Sequence, residues 1–242
     1  MKVQIWSDVL CPFCYIGKRE FENALSRFPA KDSIVVEWKS FQLDPSAPKR
    51  SPDDMYTMLA KKYGRSREQA MGMVQSVVDR AKTVGLDYNM DKAVMANSYD
   101  AHRLIQLAKT KGKGDAIEER LFKAHFMEGV DIADQAALQR LAEEVGLMKG
   151  DIEALWTGDA FGDAVRSDIQ EAQRIGVRGV PFFVIDDKYA VSGAQASDHF
   201  LGALQQAWNE RPAPVLKEVP GADGPACTPE GECAPAATGG TN

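Results

Sequence analysis

The sequence predicts an α/β fold that is interrupted by an all-helical insertion and followed by a Pro/Gly-rich tail. Three observations support this prediction: a strand–helix–strand pattern at the start, a long middle stretch of helix signals without a convincing strand, and a return of strand patterns afterwards. We therefore predict a discontinuous α/β domain over residues 1–50 and 159–210, a helical insertion domain over 51–158, and an extended tail over 211–242.

The first 50 residues have a β-α-β pattern. Residues 3–6 alternate like a short strand, and residues 12–28 place apolar side chains on one helical face before Pro29 ends the helix. Residues 34–43 are rich in β-branched and aromatic side chains, which favours a second strand. Two parallel strands joined by one helix form a right-handed crossover unit.

The insertion is predicted from a series of helix start signals. Ser51 followed by Pro52 predicts the beginning of its first helix, because Ser favours the N-cap and Pro the first turn. Ser66 and Gln69 have the spacing of a capping box, and Asp134 is a further N-cap candidate. Helix signals of this kind follow one another through roughly 100 residues.

The chain then returns to an α-β-β-α order. A helix ends near Gly176, residues 181–185 and 189–191 predict two strands of a hairpin, and Ser197 caps a last helix. The tail that follows holds half of the chain's 12 prolines and few large aliphatic residues. Such a segment buries too little apolar surface to fold alone.

The composition excludes several functional classes. The chain has 242 residues, a formal net charge of −6 and 44% hydrophobic residues, which are values of a soluble globular protein. No run approaches the ~18 consecutive apolar residues that a membrane-spanning helix needs. The acidic balance offers no basic surface for nucleic acid or for an anionic membrane, so we expect neither as a partner.

The four cysteines form two close pairs, Cys11 with Cys14 and Cys227 with Cys233. The chain begins with a strand pattern and not with a secretion signal, so we predict a cytoplasmic protein. There, a close cysteine pair is more often redox-active or metal-binding than a structural disulfide. The two pairs together also leave a zinc site open as an alternative.

The segment Cys11-Pro12-Phe13-Cys14 directly follows the first strand and opens the first helix. A helix N-terminus presents free N–H groups and the positive end of the helix dipole, and both stabilise a thiolate. Cys11 is therefore the predicted nucleophile of thiol–disulfide exchange. Cys14 is the predicted resolving thiol, and its place on the apolar helix face predicts that it is buried.

These segments carry a resemblance to a known family. The chain resembles the DsbA family of thiol:disulfide oxidoreductases, in its FrnE-like cytoplasmic branch. The matching segments are Ser7-Asp8, Cys11-Pro12-Phe13-Cys14-Tyr15-Ile16-Gly17, Phe41-Gln42-Leu43-Asp44-Pro45, Asn97-Ser98, Ala101-His102 and Gly176-Val177-Arg178-Gly179-Val180-Pro181-Phe182-Phe183. The resemblance covers about residues 1–210 and implies a thioredoxin-like fold with a helical domain inserted after the second strand.

The resemblance also implies a second part of the site. In a thioredoxin-type fold we expect a cis-proline loop beside the two cysteines, and Val180-Pro181 lies between a helix and a strand, where that loop belongs. Val180 would then offer its backbone N–H and C=O to an extended substrate. An ordinary trans proline at the start of a strand is the alternative. Phe13 stands where many relatives carry Trp. The resemblance therefore does not predict the reduction potential of this pair.

Two other functions remain as alternatives. The same superfamily includes kappa-class glutathione transferases and 2-hydroxychromene-2-carboxylate isomerases, which typically carry a lone Ser in place of the first Cys. This chain keeps both Cys11 and Cys14, which favours disulfide chemistry. A zinc-binding or redox-sensing protein without turnover is the other alternative.

The remaining predictions concern residues around this site. Asp8 and His102 are candidates for the lining of a cleft near Cys11, although a loop or cap hydrogen bond for Asp8 and a packing role for His102 are the simpler interpretations. Cys227 and Cys233 are hypothesised to exchange disulfides with the first pair, with a local tie of the tail as the alternative. We expect thiols or disulfides of proteins or small molecules as partners, a reducing system such as glutathione or thioredoxin, and no cofactor or metal.

Overall fold

A mixed sheet of four strands organises the part of the chain that the computed structural model describes, namely residues 1–211, 226–227 and 233–234. Its strands are β1 Lys2–Ser7, β2 Val35–Ser40, β3 Phe182–Ile185 and β4 Tyr189–Ser192. Across the sheet their order is β2-β1-β3-β4. The first two strands are parallel, whereas β3 is antiparallel to both β1 and β4, so the predicted crossover and hairpin are confirmed.

Within the described residues, nine α-helices accompany this sheet, and seven of them lie between β2 and β3 along the chain. A π-helical turn, Ala124–Glu128, follows the fifth helix. The helices are α1 Pro12–Arg27, α2 Met55–Tyr63, α3 Arg67–Lys82, α4 Tyr99–Thr110, α5 Gly114–Lys123, α6 Gln135–Glu144, α7 Lys149–Trp156, α8 Gly162–Arg174 and α9 Ser197–Asn209. The predicted element order is therefore observed, with α7 as a helix that the sequence patterns did not identify.

One hydrophobic core holds α1 and α9 against the sheet. The rings of Phe21 on α1, Phe183 on β3 and Phe200 on α9 pack with centroids 4.5 to 5.8 Å apart. All three are essentially buried, and each aromatic side chain buried in this way contributes on the order of 2 kcal/mol of hydrophobic free energy. This core fixes the axis of α1, and therefore the direction in which its N-terminus points.

A second core joins the start of α1 to the inserted helices. The ring of Tyr15 stacks on Phe122 of α5 at 4.9 Å, and Tyr88 stacks on Phe126 at the same distance. Cys11 and Cys14 belong to this apolar cluster. The two cysteines are therefore packed together with residues of the inserted segment.

The predicted helix starts are confirmed in part. The capping box of Ser66 and the N-cap at Asp134 are present. The predicted cap at Ser51 is wrong, because α2 begins after Asp54, whose carboxylate accepts a hydrogen bond from the amide of Thr57 at 2.7 Å. Ser51 instead forms a turn in which its hydroxyl accepts from the amide of Asp53.

The chain divides into two units, Met1–Asn209 and Glu210–Asn242. The first unit contains both the sheet and all nine helices, so a separate helical domain over 51–158 remains a prediction. In the second unit, β5 Ala226–Cys227 and β6 Cys233–Ala234 form an antiparallel pair.

Candidate functional site

Cys11 is the N-cap of α1, and Cys14 lies one turn into that helix. The amide of Cys11 donates to the carbonyl of Asp8 at 2.9 Å, and the amide of Cys14 donates to the carbonyl of Cys11 at 3.0 Å, which holds a tight strand-to-helix turn. Pro12 occupies the first helical position, where its missing N–H leaves no hydrogen bond unmade. The sulfur of Cys11 therefore lies at the positive end of the helix dipole, as the sequence predicted.

The two thiols differ in their surroundings. Both are free, and Cys14 is 1% exposed whereas Cys11 is 5% exposed. Burial raises the pKa of the Cys14 thiol well above its ordinary value, and the neighbouring Cys11 raises it further. The predicted burial of Cys14 is confirmed. The structure also largely covers Cys11, which the sequence patterns did not predict.

The loop before β3 lies against Cys11. The Val180–Pro181 peptide bond is cis, as the resemblance implies. The thiol of Cys11 donates to the carbonyl oxygen of Val180 with a sulfur–oxygen distance of 3.5 Å. The carbonyl of Pro181 accepts from the amide of Gly193 at 2.8 Å, which ties the loop to the end of β4. Cys11 and Val180, which are far apart in sequence, therefore meet at the end of the sheet where β1 ends and α1 begins.

Phe13 is the exposed member of the Cys11–Cys14 segment. Its side chain is 43% exposed, although it is large and apolar. Next to it, the hydroxyl of Tyr88 donates to the carbonyl of Pro12 at 2.8 Å. Tyr88 also lines a surface pocket of about 470 Å³ whose apolar lining includes Met71. The pocket lining is mixed, because polar side chains such as Gln75 and Asp91 stand beside the apolar ones.

Asp8 and His102 lie together beneath the cysteine turn. Nε2 of His102 is 3.5 Å from Oδ1 of Asp8, and both side chains are essentially buried. The carboxylate of Asp8 also accepts from the amides of Leu10 at 3.2 Å and Leu43 at 2.7 Å. The prediction that these two residues line an open cleft is wrong, because the amides and the imidazole occupy the carboxylate from within the fold. The simpler interpretation, a loop hydrogen bond for Asp8, is confirmed.

This contact shifts both pKa values. Burial raises the pKa of Asp8, but the hydrogen bonding and charge of His102, with the two amides, outweigh it, so the pKa lies below its ordinary value. Burial lowers the pKa of His102, but the facing carboxylate outweighs it and the pKa is raised. The two pKa shifts run in opposite directions, and each favours the charged form of its group.

Three further polar residues in this region were missed by sequence reasoning: Ser7, Glu118 and His125. All three are buried and carry side-chain oxygen or nitrogen atoms without a hydrogen bond to any described residue. Burial raises the pKa of Glu118 to about 7, and burial lowers the pKa of His125 to about 4. For Glu118, one sequence signal could have predicted the burial. It lies next to Ile117 and three positions before Leu121, on the apolar face of its helix.

Two further observations concern metal binding and membrane-spanning helices. Residues 1–211 contain no group of three or more His, Cys, Asp or Glu side chains arranged to hold a metal ion. Of the helices in the described part, none combines the length and the apolar character needed to cross a membrane. The side chains of Cys227 and Cys233 lie outside the described residues. The backbone register places the two residues opposite each other across the β5–β6 pair.

Comparison with known proteins identifies several similar chains. Residues 2–205 match the family model of the DSBA-like thioredoxin domain. The YwbO protein of Bacillus subtilis is 31% identical over 206 residues, which are 84% of this chain and 94% of that protein. The probable DsbA oxidoreductase SCO1869 of Streptomyces coelicolor is 40% identical with a TM-score of 0.84, covering 97% of this chain and 98% of that one.

A more distant likeness concerns the fold alone. The cytosolic disulfide reductase DsbM of Pseudomonas aeruginosa is 18% identical with a TM-score of 0.56, covering 86% of this chain and 95% of that one. DsbM has also been solved with GSH. These comparisons confirm the predicted fold class, a thioredoxin-like α/β fold.

Proposed function

The chain belongs to the DsbA-like thioredoxin-domain family of thiol:disulfide oxidoreductases, and from this premise we propose that Cys11 and Cys14 are its redox pair. One observation supports the proposal more than any other. The sulfur of Cys11 lies at the N-terminus of α1 and within 3.5 Å of the Val180 carbonyl, where a helix dipole and a peptide-binding edge meet.

The proposed reaction runs in two exchanges. The Cys11 thiolate attacks one sulfur of a substrate disulfide, forms a mixed disulfide and releases the other substrate sulfur as a thiolate. Cys14, after losing its proton, attacks the Cys11 sulfur, forms the Cys11–Cys14 disulfide and releases the second substrate thiolate. The substrate gains two electrons and the protein loses two. An external dithiol, or two molecules of a monothiol, restores the reduced pair, and the reverse sequence oxidises a dithiol substrate.

Protein disulfides are the proposed substrate class. The exposed ring of Phe13 and the pocket beside Tyr88 and Met71 offer apolar surface for the side chains that flank a substrate cysteine. The backbone of Val180 is suited to pair with an extended peptide in the manner of an added strand, with Pro181 holding the loop in position. Small disulfides would use Cys11 without these contacts.

The proposed cellular setting is the cytoplasm, with glutathione or thioredoxin as the reducing system. The fold shared with a cytosolic disulfide reductase supports this setting. Rapid acid quenching of cells, followed by thiol alkylation of this protein, tests the proposal. A Cys11–Cys14 pair that is mostly reduced at steady state supports it, whereas a fully oxidised pair contradicts it.

We also propose that Cys227 and Cys233 exchange disulfides with the first pair. The backbone register that places them opposite each other supports a local disulfide, and a disulfide is what an exchange partner must be able to form. The test is a redox titration and a turnover assay of a Cys227→Ser/Cys233→Ser double variant. If the redox titration and the turnover of Cys11 and Cys14 are unchanged, the exchange is contradicted. The remaining interpretation is then a local disulfide that only ties the tail.

Reduction of insulin disulfides and refolding of a scrambled disulfide protein test the main proposal. We expect Cys11→Ser to be inactive and Cys14→Ser to accumulate a mixed disulfide at Cys11 that mass spectrometry detects. A glutathione-dependent transferase or isomerase would keep its activity without Cys14. Activity that persists in Cys11→Ser would contradict the proposal.

A further inference from the structure

The loop between α8 and β3 is anchored at both ends and open between them. At its start, the amide of Val177 donates to the carbonyl of Ala172 at 2.9 Å, and the Val177 side chain is buried. At its end, the carbonyl of Pro181 accepts from the amide of Gly193 at 2.8 Å. The backbone of the residues between these anchors is therefore held in place before any substrate binds.

The residues between the anchors, Arg178, Gly179 and Val180, present an unused backbone edge. Within the described part of the chain, none of their amides donates a hydrogen bond, and the carbonyl of Val180 accepts from the Cys11 thiol at 3.5 Å. A Cβ atom added at Gly179 would meet no other atom within 4 Å. Space and free hydrogen-bonding groups for an extended chain therefore lie beside the Cys11 sulfur.

Arg178 brings an unpaired charge to this edge. Its side chain is exposed, and no hydrogen bond or ion pair with another residue of 1–211 holds its guanidinium. Other arginines near the site are paired, as Arg19 is with Glu119 and Arg103 is with Asp100. A guanidinium offers five N–H donors in a planar fork that fits a carboxylate. Arg178 is therefore free to bind a carboxylate from another molecule.

The spacing between Arg178 and Val180 determines which part of a substrate this charge meets. Two residues of extended chain span about 7 Å, and their side chains lie on the same face. In an antiparallel pair, moving two residues back along one chain corresponds to moving two residues forward along the other. A substrate whose cysteine lies opposite Val180 therefore brings its second residue after the cysteine opposite Arg178.

We propose that Arg178 selects substrates that carry a carboxylate side chain two positions after the reactive cysteine, so that disulfides in acidic protein segments are the preferred substrate class. This inference rests on the proposed function and adds a charge preference to it. Arg178 touches neither sulfur and is therefore a specificity residue. An exposed ion pair of this kind corresponds to a preference of about three- to fivefold.

The charge of the whole protein opposes this preference. Its formal net charge of −6 repels an acidic segment at long range, whereas Arg178 attracts a carboxylate only at contact distance. Removal of the Arg178 charge leaves the repulsion in place. A variant without this charge should therefore disfavour acidic substrates slightly or be indifferent to them, whereas wild type prefers them.

Activated peptides measure the preference directly. Otherwise uncharged peptides carry their cysteine in a mixed disulfide with a thiopyridyl group and have Glu, Gln or Lys two positions after it. The Cys11 thiolate attacks the peptide sulfur and forms a Cys11–peptide disulfide. The thiopyridyl sulfur leaves as a thiolate, takes a proton from water and is followed by absorbance as thiopyridone. Dipyridyl disulfide, which contains no peptide, measures the reactivity of Cys11 alone.

Wild type should react with the Glu peptide about three- to fivefold faster than with the Gln peptide, and more slowly with the Lys peptide. Arg178→Gln should lower the Glu-to-Gln ratio of rates to one or below, and Arg178→Glu should favour the Lys peptide. Arg178→Lys should keep part of the preference. The rate with dipyridyl disulfide corrects each ratio for any change at Cys11. About 1 M salt should weaken the preference of wild type, because it screens exposed charges.

Arg174→Gln is the matched control. Arg174 is an exposed arginine at the end of α8, and its Nη2 lies 3.9 Å from the carboxylate of Glu171. This variant should keep the wild-type ratio, and peptides with the charge two positions before the cysteine should react independently of Arg178. If Arg178→Gln keeps the wild-type ratio, if Arg174→Gln loses it equally, or if the effect follows the earlier position, the inference is wrong. If wild type reacts neither with dipyridyl disulfide nor with any peptide, the proposed function itself is wrong.

Discussion

The ring of Pro181 packs directly against Gly17, so the loop that carries the Val180 carbonyl rests on the second turn of α1. A Cβ atom added at Gly17 would lie 2.9 Å from Cγ of Pro181 and 3.4 Å from the ring of Phe183. The 3.5 Å contact between Cys11 and the Val180 carbonyl therefore depends on a helix position without a side chain. A glycine within a helix normally costs stability, and here it allows two parts of the site to meet.

Gly17→Ala tests this relationship. The methyl group would force the proline loop away from α1, and we expect a loss of about 1–3 kcal/mol in the free energy of unfolding together with slower reaction at Cys11. Gly202→Ala on α9 is the control, because a Cβ atom there meets no other atom within 4 Å. That variant should gain up to about 1 kcal/mol through helix propensity. Urea unfolding and insulin reduction measure both, and equal effects of the two substitutions would contradict the proposed packing.

Local sequence signals predicted the strand and the helix that position the two cysteines. The strand before Cys11 and the helix that begins at Pro12 follow from short-range rules for strands and caps, whereas the proline loop before β3 was expected from the family resemblance. The predicted cap at Ser51 is wrong because Ser51, Asp53 and Asp54 are all acceptable capping residues within four positions, and the carboxylate of Asp54 is also held by Arg67 from the next helix. The hydrogen bond that the amide of Thr57 donates to the carboxylate of Asp54 identifies Asp54 as the cap.

The buried polar cluster could not be predicted in the same way. Asp8, His102 and Glu118 come from a turn and two different helices, and the sequence does not specify which helix faces which. The direct contact between Asp8 and His102 and their nearly complete burial depend on how α4 packs within the fold. Burial is the largest of the influences that raise the pKa of Glu118 to about 7, and the charge of Asp115 raises it further.

Phe13 should contribute to the binding of protein substrates and not to the exchange itself. We expect Phe13→Ser to raise the KM for insulin about fivefold, equivalent to about 1 kcal/mol of lost apolar contact, with little change in the rate with oxidised glutathione. Val35→Ser is the control, since Val35 is also an exposed apolar residue but pairs with Lys2 at the opposite end of β1. Equal losses with insulin and with oxidised glutathione would indicate that Phe13 shapes the cysteine turn instead.

His125 should make the protein sensitive to acid. Its folded pKa of about 4 lies below the unfolded value of 6.5, so its contribution is complete above about pH 6.5 and is lost as the pH falls towards 4. The difference corresponds to about 3 kcal/mol of unfolding free energy. Neither ring nitrogen hydrogen bonds to a described residue, so His125→Leu should fold and should lack this loss. Urea unfolding at a series of pH values measures the slope, and a variant with the wild-type slope would contradict the assignment.

Glu118 should act on stability in the opposite direction over almost the same pH range. Its folded pKa of about 7 lies above the ordinary 4.5, so the folded state binds the proton more tightly and gains about 3 kcal/mol as the pH falls from 7 to 4.5. Asp8 titrates below this range because its pKa is lowered, and the facing carboxylate raises the pKa of His102. The gain from Glu118 therefore offsets the loss from His125 in wild type.

Glu118→Gln should remove this compensation. An amide has no charge to bury, so the variant should be more stable than wild type above about pH 7, by up to about 3 kcal/mol, and should lose stability steeply below about pH 6.5 as His125 is protonated. His125→Leu should show the reverse, with stability that rises as the pH falls from 7. The double variant should restore a nearly flat profile. Urea unfolding of all four proteins measures these slopes, and parallel profiles for wild type and Glu118→Gln would show that Glu118 does not titrate near neutral pH.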